Sequence, residues 1–222
     1  HSPGGGDHVR AGAELCLITD DPRQVAGAVT GMAALANLRV AAEAIGDKVR
    51  ERPLRNDVPA RIVPRVAQPQ GITNAYLFQT LTDLRSPDSI VVEEAPSARG
   101  DLHDHFPIER AGGFFATASG GLGYGLPAAV GAALTKPDKP IISIMGDGSS
   151  LYAIQSLWSA AEYDADLLVV ILNNGGYAAL KGIADKTNAA RVAGADIGHV
   201  DFVAIAKAQG CHAERCEKGA DL

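Results

Sequence analysis

The fold is decided by residues 141–177, which are IISIMGDGSSLYAIQSLWSAAEYDADLLVVILNNGGY. The apolar runs 141–145 and 167–172 have the length of buried strands, and residues 151–163 between them predict a helix. A strand, a helix and a second strand in this order predict a crossover unit with parallel strands. The sequence therefore predicts an α/β domain whose parallel sheet carries helices on both faces.

Polar side chains follow both strands at the point where each strand ends. Asp147 follows the first strand and Asn174 the second, so we expect them at one edge of the sheet, about 5 Å apart like the strands themselves. Carboxylate and amide oxygens suit Mg²⁺, which takes its other ligands from water and phosphate. Gly146 and Gly148 permit close backbone approach, and Ser149 opens a helix whose N–H groups favour a phosphate. These residues predict a magnesium-phosphate site.

Several other classes of site and protein fit the sequence less well. GDG alone would be an ordinary turn, but here it is followed, after the 24 residues 149–172, by a second polar strand end. Neither G-x-G-x-x-G after a strand nor G-x-x-x-x-G-K-[ST] is present, which disfavours dinucleotide and nucleoside triphosphate sites. The net charge of −6 argues against a nucleic-acid surface. No apolar stretch reaches membrane-span length, no signal pattern opens the chain, and three sparse cysteines suggest the cytoplasm.

A change of composition divides the chain. A strand at 13–19 and a small-residue helix at 32–45 predict the end of a preceding α/β domain, residues 1–50. Four prolines among residues 51–71 predict a linker. Residues 72–222 then form the second α/β domain.

The other elements of the second domain follow from apolar periodicity and turn residues. The sequence predicts helices at 73–84, 122–134, 177–184 and 201–209, and strands at 89–93, 114–118 and 211–216. A loop is predicted through Phe106, and Asp201 is predicted as an N-cap. We expect a complete sheet of this type to continue beyond Leu222.

Three stretches carry a resemblance to a known family. The arrangement of GDG and NN resembles the thiamine diphosphate-binding motif of the pyruvate-decarboxylase-like superfamily. EEAPS (93–97), FFATASGGLGYGLPAAVGAAL (114–134) and GDGSSLYAIQSLWSAAEY (146–163) are similar to benzoylformate decarboxylases in particular. The resemblance covers roughly residues 89–180, over a third of the chain.

The resemblance implies a role for each matching residue. Mg²⁺ would be bound by the side chains of Asp147 and Asn174 and by the carbonyl of Gly176, where the family usually has a hydroxyl residue. Gly120 would accept the aminopyrimidine's amino group, and Leu122 would be the wedge that bends the cofactor. The residues expected to contact the cofactor are Ser97, Gly120, Gly121, Leu122, Gly146, Asp147, Gly148, Ser149, Asn174, Gly176 and Tyr177.

Other positions complete the implied site. Ala179, Leu180 and Ile183 would line the substrate side, although benzoylformate decarboxylases commonly have an aromatic residue at 183. His1 begins a run spaced like the stretch that begins at a catalytic histidine of the family, so the resemblance implies a catalytic role for His1; a truncation or tag remnant is the alternative. For Leu122 the alternative is core packing at a helix start.

The implied function is thiamine diphosphate- and Mg²⁺-dependent, non-oxidative decarboxylation of an aromatic 2-oxo acid to an aldehyde and CO₂. This chain would supply the diphosphate-binding half of a homodimer or homotetramer. The glutamate that protonates the cofactor's pyrimidine would come from a pyrimidine-binding domain, in a missing N-terminal part or another subunit, so we expect this chain alone to be inactive.

Three alternatives remain. The first is a thiamine diphosphate-dependent carboligase or lyase, such as benzaldehyde lyase or acetolactate synthase. The second is a non-catalytic module that binds the cofactor. The third is an unrelated magnesium-phosphate protein, such as a phosphotransferase.

Overall fold

The computed structural model describes residues 12, 14–26, 31–48, 62–118, 120–188 and 192–222. The chain divides into two compact units, His1–Arg61 and Ile62–Leu222. Within the described ranges, no helix is both long enough and apolar enough to cross a membrane.

The first unit contains a pair of parallel strands. Its elements are β1 (Cys16–Thr19), α1 (Pro22–Ala26), β2 (Met32–Leu35) and α2 (Leu38–Gly46). The predicted helix at 32–45 is therefore wrong over its first four residues, which pair with β1 instead. Helix α2 begins only at Leu38 because the Asn37 side chain accepts the N–H groups of Arg39 and Val40 as an N-cap.

The second unit is built on one sheet of four parallel strands in the order β4-β3-β5-β6. Its elements are α3 (Asn74–Leu84), β3 (Ile90–Glu94), a 3₁₀ turn (Pro96–Ala98), α4 (Arg99–His105), β4 (Phe114–Ala116), α5 (Gly125–Thr135), β5 (Ile141–Gly146), α6 (Asp147–Ser150), α7 (Ser156–Glu162), β6 (Leu167–Leu172), α8 (Ala178–Lys186), α9 (Phe202–Ala208) and a second 3₁₀ turn (Gly219–Asp221).

Alternate side chains of the central strands face two separate cores, because successive residues of a strand point to opposite faces. On one face Val91, Ile142 and Ile144 pack with residues of α3 and α4. On the other face, Val92 and Ile141 pack with α5, and Met145 packs with α5 and α7. The prediction of a parallel sheet with helices on both faces is confirmed.

Two predicted segments of this unit differ from the structure. The loop predicted through Phe106 contains helix α4, in which Leu102 is completely buried, as is Phe106 directly after the helix. The strand predicted at 211–216 is wrong: that segment is irregular, and Cys211 contacts α7 through a hydrogen bond from its Sγ to the carbonyl of Leu157. A single antiparallel bridge joins Lys218 to Gly71 instead.

The later part of the predicted linker lies along helix α3. Gln79 exchanges two hydrogen bonds with the backbone of Val66, at 2.9 and 3.0 Å, and Arg65 pairs with Asp83. Residues 62–71 thus belong to the second unit by their contacts. Residues 51–61 of the predicted linker lie outside the described residues.

Candidate functional site

The two polar strand ends lie side by side. Strands β5 and β6 pair in parallel through Gly146 and Leu172, the residues at their C-terminal ends. Asp147 follows directly on β5, and Asn173 and Asn174 follow on β6. The expected adjacency of the two strand ends, which rested on the crossover rule, is confirmed.

The carboxylate of Asp147 joins the two strand ends. It is 2% exposed, and its Oδ1 accepts the N–H of Gly148 at 2.7 Å. Its Oδ2 accepts the N–H groups of Gly175 and Gly176 at 2.7 and 2.9 Å. Asn174 shares the last of these donors, because its Oδ1 lies 3.2 Å from the same Gly176 nitrogen. Oδ2 of Asp147 and Oδ1 of Asn174 therefore both lie within hydrogen-bonding distance of the Gly176 N–H group.

These residues retain the oxygen lone pairs that a hard cation needs. A carboxylate has about four acceptor positions, of which Asp147 uses three, and an amide or carbonyl oxygen has two. The Asn174 side chain uses one, for Gly176, and the Gly176 carbonyl uses one, for the N–H of Ala178 at 3.0 Å. The donor set is oxygen only, which fits Mg²⁺. In the described ranges no group of three or more His, Cys, Asp or Glu offers another metal site.

Gly176 has no room for a side chain. A Cβ there would lie 2.3 Å from the carbonyl oxygen of Ala195, because Gly176 forms an antiparallel bridge with Asp196. The Ala195 carbonyl also accepts the N–H of Tyr177 at 2.8 Å, and the N–H of Ile197 donates to Gly175 at 2.9 Å. The segment 192–197 thus backs the loop after β6 and explains why glycine replaces the hydroxyl residue expected at position 176.

Tyr177 packs on the turn after β5. A Cβ at Gly148 would lie 2.5 Å from the Tyr177 ring, and the Tyr177 hydroxyl donates to the Gly148 carbonyl at 3.5 Å. Burial raises the pKa of the Tyr177 hydroxyl, and Tyr152 and Asp147 add to this shift. The Cβ of Tyr152, two residues after α6, lies 3.2 Å from a Cβ built at Gly123. The glycine-rich loop before α5 is therefore close to the strand ends.

Glu94 anchors that glycine-rich loop. Its side chain is fully buried at the end of β3, and its carboxylate accepts the N–H groups of Gly123, at 2.7 Å, and Gly125. Gly120 and Gly123 have φ of 72° and 96°, which other residues rarely adopt. Helix α5 therefore begins at Gly125, three residues later than predicted, and Leu122 lies half-buried in the loop before it.

The remaining predicted residues lie around these elements. Ser97 is exposed on the 3₁₀ turn after β3, and helix α8 contacts that turn. Ala179, Leu180 and Ile183 are exposed on α8, the last two at 45% and 48%. Ser149 is 5% exposed in the short helix α6. Gly121 is exposed beside Leu122, and His1 lies outside the described residues.

Some structural partners of the site were not predicted. Glu94 and the segment 192–197 act through contacts between residues distant in the chain. Tyr152 is 59% exposed and resembles an ordinary surface residue. Two consecutive glutamates at the end of an apolar strand are the one sequence signal that points to a buried acidic group.

Comparison with known families identifies the larger unit. Residues 97–222 match the model of the thiamine pyrophosphate enzyme, C-terminal TPP binding domain. The chain belongs to the thiamine pyrophosphate enzyme family. This match covers the strand ends, the glycine-rich loop and the Asn173-Asn174 segment, which are the parts that the structure brings together. Members of this family bind thiamine diphosphate, also called thiamine pyrophosphate.

Similar members of the family include decarboxylases and a synthase. Benzoylformate decarboxylase of Pseudomonas aeruginosa is 38% identical over 211 residues, 94% of this chain and 40% of that protein. The structure of a thiamine diphosphate-dependent 4-hydroxybenzoylformate decarboxylase from Rhodococcus jostii RHA1 matches with a TM-score of 0.82 and 34% identity, over 98% of this chain and 41% of that one. The acetolactate synthase large subunit of Parasynechococcus marenigrum is 31% identical over 127 residues, 56% of this chain and 21% of that protein. The chain spans about two fifths of the length of the two decarboxylases.

Proposed function

We propose that the chain is the diphosphate- and magnesium-binding half of a decarboxylase that converts an aromatic 2-oxo acid of the benzoylformate type to an aldehyde and CO₂. The observation that carries the proposal is the junction of Asp147 with the loop 173–176 at two neighbouring strand ends. The 38% identity to a benzoylformate decarboxylase over 94% of the chain supports this substrate class.

The residues of the strand ends would bind Mg²⁺ and the diphosphate. The side chains of Asp147 and Asn174 and the carbonyl of Gly176 each retain an acceptor position for the metal. The Tyr177 hydroxyl, whose one proton points to the Gly148 carbonyl at 3.5 Å, would turn to donate to a phosphate oxygen instead. Ser97 and Ser149 add hydroxyl donors on the neighbouring turns.

The glycine-rich loop would hold the rest of the cofactor. Bound thiamine diphosphate supplies the electron sink that decarboxylation of a 2-oxo acid requires. The Gly120 carbonyl would orient the aminopyrimidine, and Leu122 would support the bent cofactor from below. The exposed apolar residues of α8, Leu180 and Ile183, would face the substrate's ring.

The acid that protonates the pyrimidine would come from outside this chain. The two buried glutamates beside the site already have partners: Glu93 binds Arg99 and the N–H of Ala95, and Glu94 holds the loop before α5. We infer that a pyrimidine-binding domain completes the site, within a homodimer or homotetramer in the cytoplasm. The 222-residue chain alone would then give no turnover with benzoylformate.

A carboligase of the acetolactate synthase type is the second candidate. The 31% identity to an acetolactate synthase large subunit favours it, and the diphosphate half of the site would serve either reaction. The two candidates differ in the acceptor of the decarboxylated fragment, which is a proton in one case and a second carbonyl compound in the other.

Two measurements on the complete protein test the proposal. Calorimetric titration with thiamine diphosphate and with ATP, each with Mg²⁺, is expected to give saturable binding only for the former; the reverse result would favour a phosphotransferase. Benzaldehyde release from benzoylformate is then compared with acetolactate formation from pyruvate. Cofactor binding without either activity, in an assembly that lacks the pyrimidine-side glutamate, would indicate a non-catalytic module.

A further inference from the structure

Glu94 has a buried carboxyl group without a cationic partner in the described part of the chain. Its side chain is 0% exposed, and among the described residues its two oxygens accept only the N–H groups of Gly123 and Gly125. The neighbouring Glu93 is equally buried but forms an ion pair with Arg99 at 2.8 Å on the other face of the sheet. Burial of the Glu93 carboxyl group is thus offset by a cation, and burial of the Glu94 carboxyl group by backbone N–H groups.

Fold stability alone does not account for a carboxyl group at this position. Removing a carboxylate from water is costly, and an apolar side chain of similar size in its place is often neutral or stabilising. Val92, two residues earlier on the same face of β3, is such an apolar side chain. The N–H groups at the start of α5 offset part of the cost at Glu94, because a helix N-terminus favours a negative charge.

The Glu94 carboxyl group holds the C-terminal end of the glycine-rich loop. The loop bends through Gly120 and Gly123, both at positive φ, and such glycines leave many other conformations open. The two hydrogen bonds from Glu94 hold its last residues, on either side of Tyr124, against the end of β3. They fix the backbone immediately after Leu122.

The fit around the carboxylate is close. A Cβ at Gly125 would lie 2.8 Å from both the Glu94 Cβ and the Met145 sulfur, so there is no room for a side chain where the start of α5 meets β3 and β5. Gly123 is backed by Tyr152 on its other side, with a Cβ at 3.2 Å. The carboxylate and Tyr152 thus confine the loop from two directions.

We propose that Glu94 is a positioning residue for cofactor binding. By fixing the glycine-rich loop, it holds Gly120 where the aminopyrimidine of thiamine diphosphate would bind and Leu122 where the cofactor would bend. The inference rests on the proposed function, because it assigns the loop to that cofactor. It predicts that loss of the two hydrogen bonds weakens cofactor binding more than it weakens the fold.

The test uses the complete protein with Glu94→Gln, Glu94→Asp and, as a matched control, Val130→Ala. Glutamine has one acceptor oxygen, so its NH₂ group must face one of the two backbone donors. Aspartate keeps the charge but is shorter by one methylene and can reach only one donor. Val130 is buried in the same helix, so its truncation loosens α5 without touching the loop's hydrogen bonds.

Four quantities are measured for each variant: the dissociation constant for thiamine diphosphate at saturating Mg²⁺, the melting temperature without cofactor, kcat, and the KM for the cofactor. We expect Glu94→Gln to raise the dissociation constant at least about tenfold, as small misplacements of a binding element can. The dissociation constant of Glu94→Asp should lie between those of Glu94→Gln and the wild type. Val130→Ala should lower the melting temperature at an unchanged dissociation constant.

The outcomes separate the inference from the function on which it rests. Wild-type protein that does not bind thiamine diphosphate would refute the proposed function. Wild-type protein that binds it, together with Glu94 variants that bind equally well or that lose affinity only as much as Val130→Ala does, would overturn the positioning role. If Glu94→Gln does not fold, Glu94→Asp against Val130→Ala decides the question by the same criteria.

Discussion

Oδ2 of Asp147 accepts the N–H of Gly176 at 2.9 Å, across the gap between two neighbouring strand ends. This contact joins the turn after β5 to the loop after β6 before any ligand is considered. The same carboxylate oxygen also accepts the N–H of Gly175, so the loop is held at two successive residues. The residues of the proposed Mg²⁺ and diphosphate site are in this way already held together by the protein's own hydrogen bonds.

Asp147→Asn should weaken both the fold and the site. The amide has one acceptor oxygen for three N–H groups, and its NH₂ must face a backbone donor. We expect a loss of about 2 kcal/mol in the free energy of unfolding, since hydrogen bonds to charged groups contribute about that much each. Urea denaturation without Mg²⁺ measures it; an unchanged midpoint and slope would show that these contacts do not form.

The two asparagines after β6 provide a matched pair for the metal. Asn173 and Asn174 are both exposed, and each accepts one backbone N–H, from Gly175 at 3.3 Å and from Gly176 at 3.2 Å. Only Asn174 is proposed as a ligand, so Asn174→Ala should raise the Mg²⁺ concentration needed for half-maximal cofactor binding at least about tenfold. Asn173→Ala should leave it near the wild-type value. Equal shifts for both variants would argue against a direct role for Asn174.

Gly176→Ser, which restores the hydroxyl residue expected from the family, should be harmful here. Its Cβ would lie 2.3 Å from the Ala195 carbonyl, so the segment 192–197 must move. Overpacking of this kind costs about 1–3 kcal/mol, and we expect cofactor affinity to fall with it. Gly182→Ser is the control, since a Cβ at Gly182 contacts nothing within 4 Å. Thermal unfolding of both variants, and titration with the cofactor, give the comparison.

Asp88 should contribute to stability in a pH-dependent way. Hydrogen bonds from Lys139 and Ser86 lower the pKa of this carboxyl from 3.8 to about 2. A lowered folded-state pKa means that the contribution is present above about pH 4 and is lost as the pH falls towards 2. The difference in unfolding free energy between wild type and Asp88→Asn should be constant near neutrality and should shrink over that range.

Denaturation curves from pH 7 to 2, at low and high salt, check this expectation. Because the pair is exposed, added salt should reduce the difference at every pH. Lys139→Met removes the main cause of the shift, so Asp88→Asn should have a much smaller pH-dependent effect in that background. A difference that grew towards low pH would contradict the assignment.

Segments with strong local signals were predictable. Strand β6 was predicted to the residue, because six apolar residues stand between polar ones. The N-cap at Asp201 was predicted from its side chain and is observed, with its Oδ1 accepting the N–H of Ala204 at 3.0 Å. The parallel pairing that brings Asp147 beside the Asn174 loop followed from the crossover rule alone.

Segments whose conformation depends on distant partners were not predictable. Residues 32–35 have helical composition, but β1 offers a parallel partner and they form a strand. Helix α4 has a polar sequence, and it is anchored in the core by the buried side chains of Leu102 within the helix and Phe106 directly after it. The hydrogen bonds of Glu94 span about thirty residues, so no local pattern around β3 could reveal what its carboxylate binds.

The backing of the loop after β6 by residues 192–197 has a consequence for hydrogen exchange. The Tyr177 amide in the loop after β6 donates to the Ala195 carbonyl, and the Ile197 amide donates back to the Gly175 carbonyl. The loop and the segment 192–197 therefore cannot separate without exposing both amides. We expect a ligand that binds only the loop after β6 to slow amide exchange at Ile197, because the loop and the segment 192–197 must separate to expose that amide.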